Sequence, residues 1–349
     1  MEHKIVVGIA SFGMSGRIFH APLLSHHKKF RIKRILERSK NETQALYPSL
    51  IESRSLEDLF RDDEIELIIV NTPDHTHFEI AKKCLKAGKH VVVEKPFTQT
   101  VEQGKKLVQL AKQKGKILSV FQNRRWDGDF LTVQRIVQQH LLGRLVDYEA
   151  HFDRYKNIVS LNTWKDQAST GAGVLYNLGS HMIDQVLVLF GMPEAVTGFL
   201  KIMREGGKVD DWYDIRLHYP DVNVSLKSSL LVKEPGPRYI LHGTQGSFLK
   251  WGTDPQEEAL KQGKNPNESD WGREEEKYWG TLITEKDGIT KREKYESLLG
   301  NYSAFYDAFY ESIVHGKELP VKPEEALNGI RIIEAVQKSS KTRKTIELS

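Results

Sequence analysis

The sequence has few of the features that define several protein classes. Cys84 is the only cysteine among the 349 residues. This excludes an intramolecular disulfide and is typical of a reducing compartment, so we expect the cytoplasm. No apolar run approaches the roughly 20 residues of a membrane-spanning helix. A strand-like run, rather than the apolar core of a signal peptide, follows residues 1–4. We therefore expect neither a membrane partner nor a cleaved leader.

The charge is nearly balanced. Lys and Arg number 51 against 47 Asp and Glu, which leaves a net charge of +4. This small excess is scattered along the chain, and no basic helix has a recognition pattern, so we expect no nucleic-acid partner. With 39% hydrophobic and 9% aromatic residues, the composition is that of an ordinary globular protein, and the length suggests two domains.

A glycine-containing loop lies near the start of the chain. The strand-like residues 4–10 lead into Ser11-Phe12-Gly13-Met14-Ser15-Gly16, and an amphipathic segment begins at Arg17. Strand, glycine turn and helix are the context of a dinucleotide-binding fingerprint. Gly13 would let the backbone approach a pyrophosphate, and Gly16 would allow close helix–strand packing. Ser11 stands where the first glycine is usual, and a tight turn without a ligand is the alternative.

The end of the second predicted strand bears on cofactor choice. This strand covers residues 30–36 and is followed by Glu37, about 20 residues beyond the glycine loop, where an acid can bind the adenosine ribose. Arg38, Ser39 and Lys40 follow at once and could instead hold a 2′-phosphate. We expect NAD or NADP as the cofactor, with a slight preference for NAD.

Two further strands end in polar loops. Residues 66–70 lead into the loop 71–77, and the run Val91-Val92-Val93 leads into Glu94-Lys95-Pro96. The carboxyl ends of parallel strands share one edge of a sheet, so these loops and the glycine loop should open on one crevice. Asp74, His75 and His77 suggest a metal site only weakly, because no further ligand cluster lies nearby, and we expect no metal.

The two halves of the chain differ in the order of their predicted strands and helices. Strands and helices alternate from residue 4 to about 121, which indicates a parallel, doubly wound sheet. Later strand-like runs at 195–203, 212–219, 222–232 and 238–243, with a hairpin turn at Asp287-Gly288, indicate antiparallel pairing. Helices are predicted at 130–142, ended by Gly143, and at 302–314 and 324–339. The charged residues 254–277 should form an exposed excursion.

The fold class predicted from these patterns is α/β. We expect an N-terminal Rossmann domain with a doubly wound parallel sheet at residues 1–122. An α+β domain with a large, mostly antiparallel sheet should follow at 123–349.

One helix of the second half carries a polar stripe. The segment from Val174 to about Gly191 is otherwise apolar, yet Asn177, His181 and Asp184 are spaced i, i+4 and i+7. This spacing places the three side chains on one face of a helix. A structural, hydrogen-bonded histidine is the alternative to a catalytic one.

Together these pieces resemble the Gfo/Idh/MocA oxidoreductases over nearly the whole chain. The matching segments are the glycine loop, Phe19-His20-Ala21-Pro22, Asn71-Thr72-Pro73, Glu94-Lys95-Pro96, Asn123-Arg124-Arg125-Trp126-Asp127 and Gly179-Ser180-His181-Met182-Ile183-Asp184. The segments 122–132 and 236–239 are most similar to the branch that contains the scyllo-inositol dehydrogenases.

The resemblance implies roles for individual residues. Lys95 would touch the substrate hydroxyl and His181 would serve as acid/base, whereas Asn177 stands where the family often has an aspartate. The expected cofactor contacts are Ser11, Phe12, Gly13, Met14, Gly16, Glu37, Arg38, Thr72, Pro73, His77, Glu94, Lys95 and Asn123. The expected substrate contacts are Arg125, Trp126, Tyr155, Asn177 and Asp184.

The function predicted from the sequence is hydride transfer between NAD or NADP and a hydroxyl or carbonyl group of a polyol, inositol or sugar. The alternative is a non-catalytic dinucleotide-binding sensor of the same fold. We expect a small-molecule substrate and a homodimer or homotetramer.

Overall fold

The computed structural model describes residues 3–39, 41–159 and 171–348. Its first part forms a six-stranded sheet in the order β3-β2-β1-β4-β5-β6, with every neighbouring pair parallel. The strands are β1 Ile5–Ile9, β2 Phe30–Leu36, β3 Ile51–Ser53, β4 Leu67–Val70, β5 His90–Glu94 and β6 Leu118–Phe121. The strand order reverses between β1 and β4, and ligands of such sheets bind at this point, beyond the carboxyl ends of the strands.

The helices between these strands begin and end at local signals in the sequence. They are α1 Ala21–Ser25, α2 Glu42–Leu46, α3 Leu56–Arg61, α4 His77–Lys86 and α5 Val101–Lys114. Ser55 and Asp58 form a reciprocal capping box at the start of α3, and the Thr100 hydroxyl caps α5. Gly115 ends α5 with a φ of 59°, a conformation that suits glycine. These helix ends are therefore set by residues within the same short segments.

The second part of the chain forms a nine-stranded sheet in the order β14-β13-β12-β11-β7-β10-β9-β8-β15. Its elements, with the accompanying helices, are α6 Gly128–Gln138, β7 Leu145–His151, α7 Ser180–Phe190, β8 Ala195–Lys201, β9 Trp212–His218, β10 Asn223–Ser229, β11 Tyr239–Gly243, β12 Gly246–Lys250, α8 Gln256–Lys261, β13 Gly280–Lys286, β14 Ile289–Tyr295, α9 Ser303–His315, α10 Pro323–Thr342 and β15 Ile346–Glu347. Only β7 and β10 pair in parallel among these described strands. The predicted fold class is confirmed.

The predicted hairpin turn is present between β13 and β14. Asp287 and Gly288 have φ angles of 53° and 75°. A two-residue turn that matches the twist of its strands needs positive φ at both positions, which explains why Asp-Gly occurs there.

The chain divides into two compact units, each built from three stretches. Unit 1 comprises Met1–Trp126, Pro255–Trp271 and Asn301–Leu327, and unit 2 comprises Asp127–Asp254, Gly272–Gly300 and Asn328–Ser349. The core of unit 1 lies around the parallel sheet, whose β4 residues and Val91, Val92 and Val93 of β5 are fully buried. In unit 2, Tyr213, Ile215 and Leu226 are buried on the large sheet. The predicted boundary at residue 122 stays a prediction.

Two expectations for the second half are only partly correct. The helix predicted at 130–142 occupies Gly128–Gln138, and His140 adopts a φ of 52°, so the helical path ends before Gly143. The segment 254–277 is exposed only in part: residues 261–264 and 267–270 are exposed, whereas Gln256 is fully buried. The Gln256 amide donates to Trp126 O at 3.1 Å, and its oxygen accepts from Trp271 Nε1 at 3.0 Å and from Tyr302 N–H at 2.7 Å.

Candidate active site

The glycine loop is tied to both strands that flank β1. The Ala10 N–H donates to Ile69 O at 2.9 Å, and the Phe12 N–H donates to Leu36 O at 3.1 Å. The Asn71 side chain, just past β4, donates from Nδ2 to Ser11 O at 2.8 Å. The loop therefore has a fixed position at the point where the strand order reverses.

The two glycines of the loop have different environments. A Cβ on Gly16 would lie 2.2 Å from Ser11 O and 2.7 Å from Asn71 Nδ2, so only glycine fits the close approach of helix and strand. A Cβ on Gly13 would meet only Ser11 Oγ, at 3.4 Å. The space beside Gly13 is therefore open where the helix of residues 14–25 begins.

A helix start of this kind suits an anion, because its first N–H groups precede the intrahelical ladder. Arg17 N–H is the donor of a helical bond to Gly13 O, at 3.0 Å. Met14, in the first turn, is 49% exposed. These residues fit the pyrophosphate of a dinucleotide: Gly13 leaves room for it and the helix presents donors.

Glu37 and Arg38 differ in their exposure to solvent. Glu37 is buried, and its Oε2 accepts a hydrogen bond of 2.9 Å from the Thr43 N–H at the start of α2. Arg54 holds the same residue through a 2.8 Å bond from Nη1 to Glu37 O. Arg38 is exposed just beyond the end of β2. Lys40, considered with them for a 2′-phosphate, lies outside the described residues.

The loop after β4 is joined to the loop after β5 by a buried histidine. His77 Nδ1 lies 2.9 Å from Pro96 O, and its Nε2 lies 2.9 Å from Thr72 O. Burial lowers the pKa of His77. Pro73 precedes a short 3₁₀ turn and accepts a 2.6 Å hydrogen bond from the Thr76 hydroxyl. His77 thus fixes the loop that carries Thr72 against the turn that carries Lys95.

The end of β5 carries a buried hydrogen-bond chain that sequence reasoning missed. Glu94 Oε1 lies 3.0 Å from His20 Nε2, and Glu94 Oε2 accepts a 3.0 Å bond from the Lys95 N–H. His20 Nδ1 lies 2.6 Å from the Tyr306 hydroxyl of α9. His20 stands in one of the motifs that carry the resemblance, whereas Tyr306 lies on an apolar helix and gave no signal. Lys95 is half-buried and is followed by a cis peptide bond to Pro96.

The residues after β6 are drawn into unit 1. Asn123 is 6% exposed. Arg125 donates from Nη1 to Glu325 Oε2 at 2.7 Å. The half-buried Trp126 meets the Phe305 ring edge-on, with centroids 5.7 Å apart. The predicted cofactor residues, together with Arg125 and Trp126, therefore all belong to unit 1.

The remaining predicted site residues belong to unit 2. A π-helical turn at Leu175–Gly179 passes directly into α7. On this continuous helix His181 and Asp184 are 5% and 3% exposed, and Asn177 is half-buried. The predicted helix with its polar residues is therefore present. Tyr155 is 50% exposed and pairs with Leu231 in an isolated β-bridge.

A carboxyl group from outside the helix holds its amino end. Asp210 Oδ2 accepts a 2.7 Å bond from the Leu175 N–H, and Asp210 O accepts a 2.8 Å bond from the Val174 N–H. Burial raises the pKa of Asp210 to about 6. Gly173 leaves room for this contact, since a Cβ there would lie 2.3 Å from Asp210 Oδ1. Asp210 thus positions the helix that carries His181, and no local motif pointed to it.

Within 3–39, 41–159 and 171–348, no group of three or more His, Cys, Asp or Glu side chains is arranged to hold a metal ion. No helix in the same part of the chain is both long and apolar enough to cross a membrane.

Comparisons with known proteins cover the whole length of the chain. The sequence pattern of the NAD-binding Rossmann-fold domain of the Gfo/Idh/MocA oxidoreductase family matches residues 5–122, and the pattern of the family's C-terminal alpha/beta domain matches residues 134–348. The chain is 41% identical over 344 residues to scyllo-inositol 2-dehydrogenase (NADP(+)) IolW of Bacillus subtilis, covering 99% of this chain and 96% of that protein.

Solved structures agree with this result. A crystal structure from Bacteroides fragilis superposes with a TM-score of 0.91 at 49% identity, covering 99% of this chain and 100% of the other. The structure of yvaA from Bacillus subtilis gives a TM-score of 0.97 at 40% identity, covering 100% and 99%. The resemblance predicted from the motifs is confirmed, and the chain belongs to the Gfo/Idh/MocA oxidoreductase family.

Proposed function

We propose that the protein is an NAD(P)-dependent dehydrogenase that interconverts a CH–OH group and a carbonyl on a polyol, inositol or sugar. The observation that carries the proposal is the edge of the parallel sheet. There the open glycine loop, the loop fixed by His77 and the turn with Lys95 follow the adjacent strands β1, β4 and β5. The relative named as a scyllo-inositol 2-dehydrogenase supports the substrate class.

The chain's own residues supply the proton chemistry. A bound nicotinamide dinucleotide supplies the hydride acceptor or donor. As an alcohol is oxidised its O–H proton must leave, and the imidazole of His181 takes that proton. The family resemblance assigns to the Lys95 ammonium the stabilisation of the negative charge that develops on the substrate oxygen. Both roles are implied by the family resemblance. Lys95 lies on the turn that contacts His77, and His181 lies on the helix whose amino end is bonded to Asp210.

The other predicted residues are assigned to binding. Asp184 orients His181 or accepts hydrogen bonds from substrate hydroxyls, and Asn177 contributes an uncharged amide beside them. Arg125, Trp126 and Tyr155 contribute to the substrate wall. An amide in place of a carboxylate stabilises an imidazolium less, which favours a free base for alcohol oxidation.

The experiment that tests this function is a substrate panel followed by one substitution. Reduced-nicotinamide absorbance is monitored with NAD and with NADP against polyols, inositols and sugars. With the best substrate, Lys95→Met should lower kcat by roughly 100-fold, the scale of losing one transition-state donor. Lys112→Met, at an exposed lysine that pairs with Glu324, is the control and should leave kcat unchanged. Dinucleotide binding without turnover on any member of the panel would instead indicate a sensor.

Cofactor choice is proposed to favour NADP over NAD. The slight preference for NAD rested on Glu37, but this carboxylate is buried and bonded to the Thr43 N–H. The exposed Arg38 suits a 2′-phosphate, since a guanidinium makes charge-assisted bonds to phosphate. The named NADP-dependent relative agrees with this choice.

Arg38→Ala should raise the KM for NADP by about 10-fold, the loss of one exposed charge-assisted contact, and leave the KM for NAD unchanged. Arg31→Ala, at the amino end of the same strand, is the matched control. A wild-type preference for NAD, or an NADP KM that Arg38→Ala leaves unchanged, would overturn this choice. The homodimer or homotetramer and the cytoplasmic location stay predictions.

A further inference from the structure

A buried chain of hydrogen bonds links helix α9 to the turn that carries Lys95. It runs from the Tyr306 hydroxyl to His20 Nδ1 at 2.6 Å, from His20 Nε2 to Glu94 Oε1 at 3.0 Å, and from Glu94 Oε2 to the Lys95 N–H at 3.0 Å. Tyr306 and His20 are fully buried, and the Glu94 side chain is 12% exposed. Every member belongs to unit 1.

The carboxylate of Glu94 assigns the direction of its hydrogen bond with His20. Burial alone would raise the pKa of Glu94, but the hydrogen bond and the charge of His20, and then the nearby charge of Lys95, outweigh burial, and the pKa is lowered. Glu94 is therefore a carboxylate that only accepts, so His20 Nε2 carries a proton and donates. Burial raises the pKa of Tyr306, so its hydroxyl stays protonated and shares the 2.6 Å hydrogen bond with His20 Nδ1.

The surroundings of the chain are apolar and rigid. The His20 ring lies 4.6 Å from the Phe121 ring between centroids, and Phe121 lies 5.0 Å from Phe305 and 5.7 Å from Tyr306. Water is excluded from the His20 end of the chain, so its hydrogen bonds are stronger than they would be in solvent. Glu94 therefore has one preferred position, fixed from inside the fold.

We propose that Tyr306 and His20 are positioning residues that hold the Glu94 carboxylate against the Lys95 backbone N–H, 3.0 Å away. From this position its negative charge favours the ammonium form of the Lys95 side chain. This inference rests on the proposed function, because a charged Lys95 is the form that stabilises an alkoxide. Neither Tyr306 nor His20 touches substrate in this account. They act through the place and direction of one carboxylate.

Other titratable groups also surround Lys95. Asp74 and His77 lie on the loop and helix after β4, His20 precedes α1, Glu94 ends β5 and Tyr306 lies on α9. The charge of Lys95 acts on Asp74, but burial outweighs that effect and raises the pKa of Asp74. Burial lowers the pKa of His77, so this ring favours its uncharged form. Glu94 is thus the carboxylate next to Lys95 whose charged form is favoured.

The test measures the protonation of Lys95 directly, without any substrate. The whole protein is labelled with trace acetic anhydride across a range of pH, and acetylation of Lys95 is followed by mass spectrometry. Glu94→Gln should lower the pKa of Lys95 by about one unit, the scale of losing an adjacent opposite charge. His20→Leu should lower it by at least half as much, because the carboxylate can then turn toward water.

Matched variants separate positioning from general disruption. His20→Gln keeps a donor for Glu94 Oε1 and should restore the wild-type pKa of Lys95. Tyr306→Phe removes only the hydroxyl and should lower the pKa partway. Tyr310→Phe removes a buried hydroxyl one turn along α9, where it donates to His3 O at 2.9 Å, and should leave Lys95 unchanged.

The outcomes distinguish this inference from the proposed function. An unchanged pKa of Lys95 in both Glu94→Gln and Tyr306→Phe overturns the inference, even if His20→Leu does not fold. Equal shifts in Tyr306→Phe and Tyr310→Phe also overturn it, because they would reflect only loosening of α9. Absence of turnover in the wild-type protein on the whole panel refutes the proposed function and leaves the labelling result intact.

Discussion

Replacing Gly16 and Gly13 in separate variants should distinguish an effect on stability from an effect on cofactor binding. Gly16→Ala places a Cβ 2.2 Å from Ser11 O and 2.7 Å from Asn71 Nδ2. Both distances are well inside van der Waals contact. The nearest atom is backbone, so it can yield only if the end of β1 moves.

The size of the loss follows from three terms. Overpacking at a rigid site costs about 1–3 kcal/mol. Displacing the Asn71 amide from Ser11 O costs about 0.5–1.5 kcal/mol. The better helix propensity of alanine returns up to about 1 kcal/mol. The free energy of unfolding should therefore fall by about 0.5–4.5 kcal/mol.

Gly13→Val should have the opposite profile. A Cβ there would have only Ser11 Oγ nearby, at 3.4 Å, and the φ angle of Gly13 is not positive, so a side chain causes no backbone strain. Its stability should change by less than about 0.5 kcal/mol. The valine side chain would fill the open space beside the helix start, so dinucleotide affinity should fall by roughly 100-fold or more, about 2.7 kcal/mol.

The assays are urea denaturation followed by circular dichroism and a fluorescence titration with each dinucleotide. Gly13→Ala is the matched control for the added methyl group and should be as stable as the wild type. Wild-type stability of Gly16→Ala would refute the packing argument. Unchanged affinity in Gly13→Val would refute the placement of the cofactor beside this glycine.

Two further predictions concern unit 2. Asn177→Asp should move the acidic limb of log kcat/KM for alcohol oxidation upward by about half a unit to one unit, because a carboxylate raises the pKa of His181; coincident limbs would mean that position 177 does not act on His181. Lys250 is fully buried, and its Nζ lies 2.7 Å from Glu274 Oε1. Lys250→Met should therefore lower the free energy of unfolding by about 3–5 kcal/mol at pH 7, because it leaves Glu274 without its partner. Lys291→Met, at an exposed lysine, is the control and should lower it by less than about 1 kcal/mol. Burial raises the pKa of Glu274. The loss of unfolding free energy in Lys250→Met should therefore become smaller as the pH falls toward 4 and Glu274 takes up a proton. A loss that does not change with pH in urea denaturation would contradict this prediction.

Features with a local cause could be predicted from the sequence. The capping residues Ser55 and Thr100, the glycine ends of helices and the Asp-Gly hairpin each act within four residues, and each is present. The strand ends that carry polar loops followed from alternation along the chain. The motifs around Lys95 and His181 identified the family because several short segments matched together.

Features with a long-range cause could not be predicted. His20 and Tyr306 are 286 positions apart, and no pattern on either helix indicates that they meet. Gln256 lies in a charged stretch that looks exposed, yet it is buried by bonds to Trp126, Trp271 and Tyr302. Tertiary partners decided each of these cases.

The assembly of unit 1 from three separate stretches has a consequence for protein synthesis. The parallel sheet is complete at Phe121, but α9 comes nearly two hundred residues later. The rings of Phe30 and Phe121 pack against Tyr306 of α9, and Ser119 Oγ donates to Val321 O at 2.7 Å. At roughly 5–20 residues per second, the ribosome delivers these partners about 10–40 s after the sheet emerges.

During that interval the nascent chain exposes the apolar surface that α9 later covers. We therefore expect the amino-terminal part to stay open, or bound to a chaperone, until α9 has left the ribosome. A messenger truncated before the codons for α9 should yield a polypeptide that is degraded rather than a free dinucleotide-binding domain. Chaperones and proteases would then distinguish folded from misfolded molecules only after α9 has been synthesised.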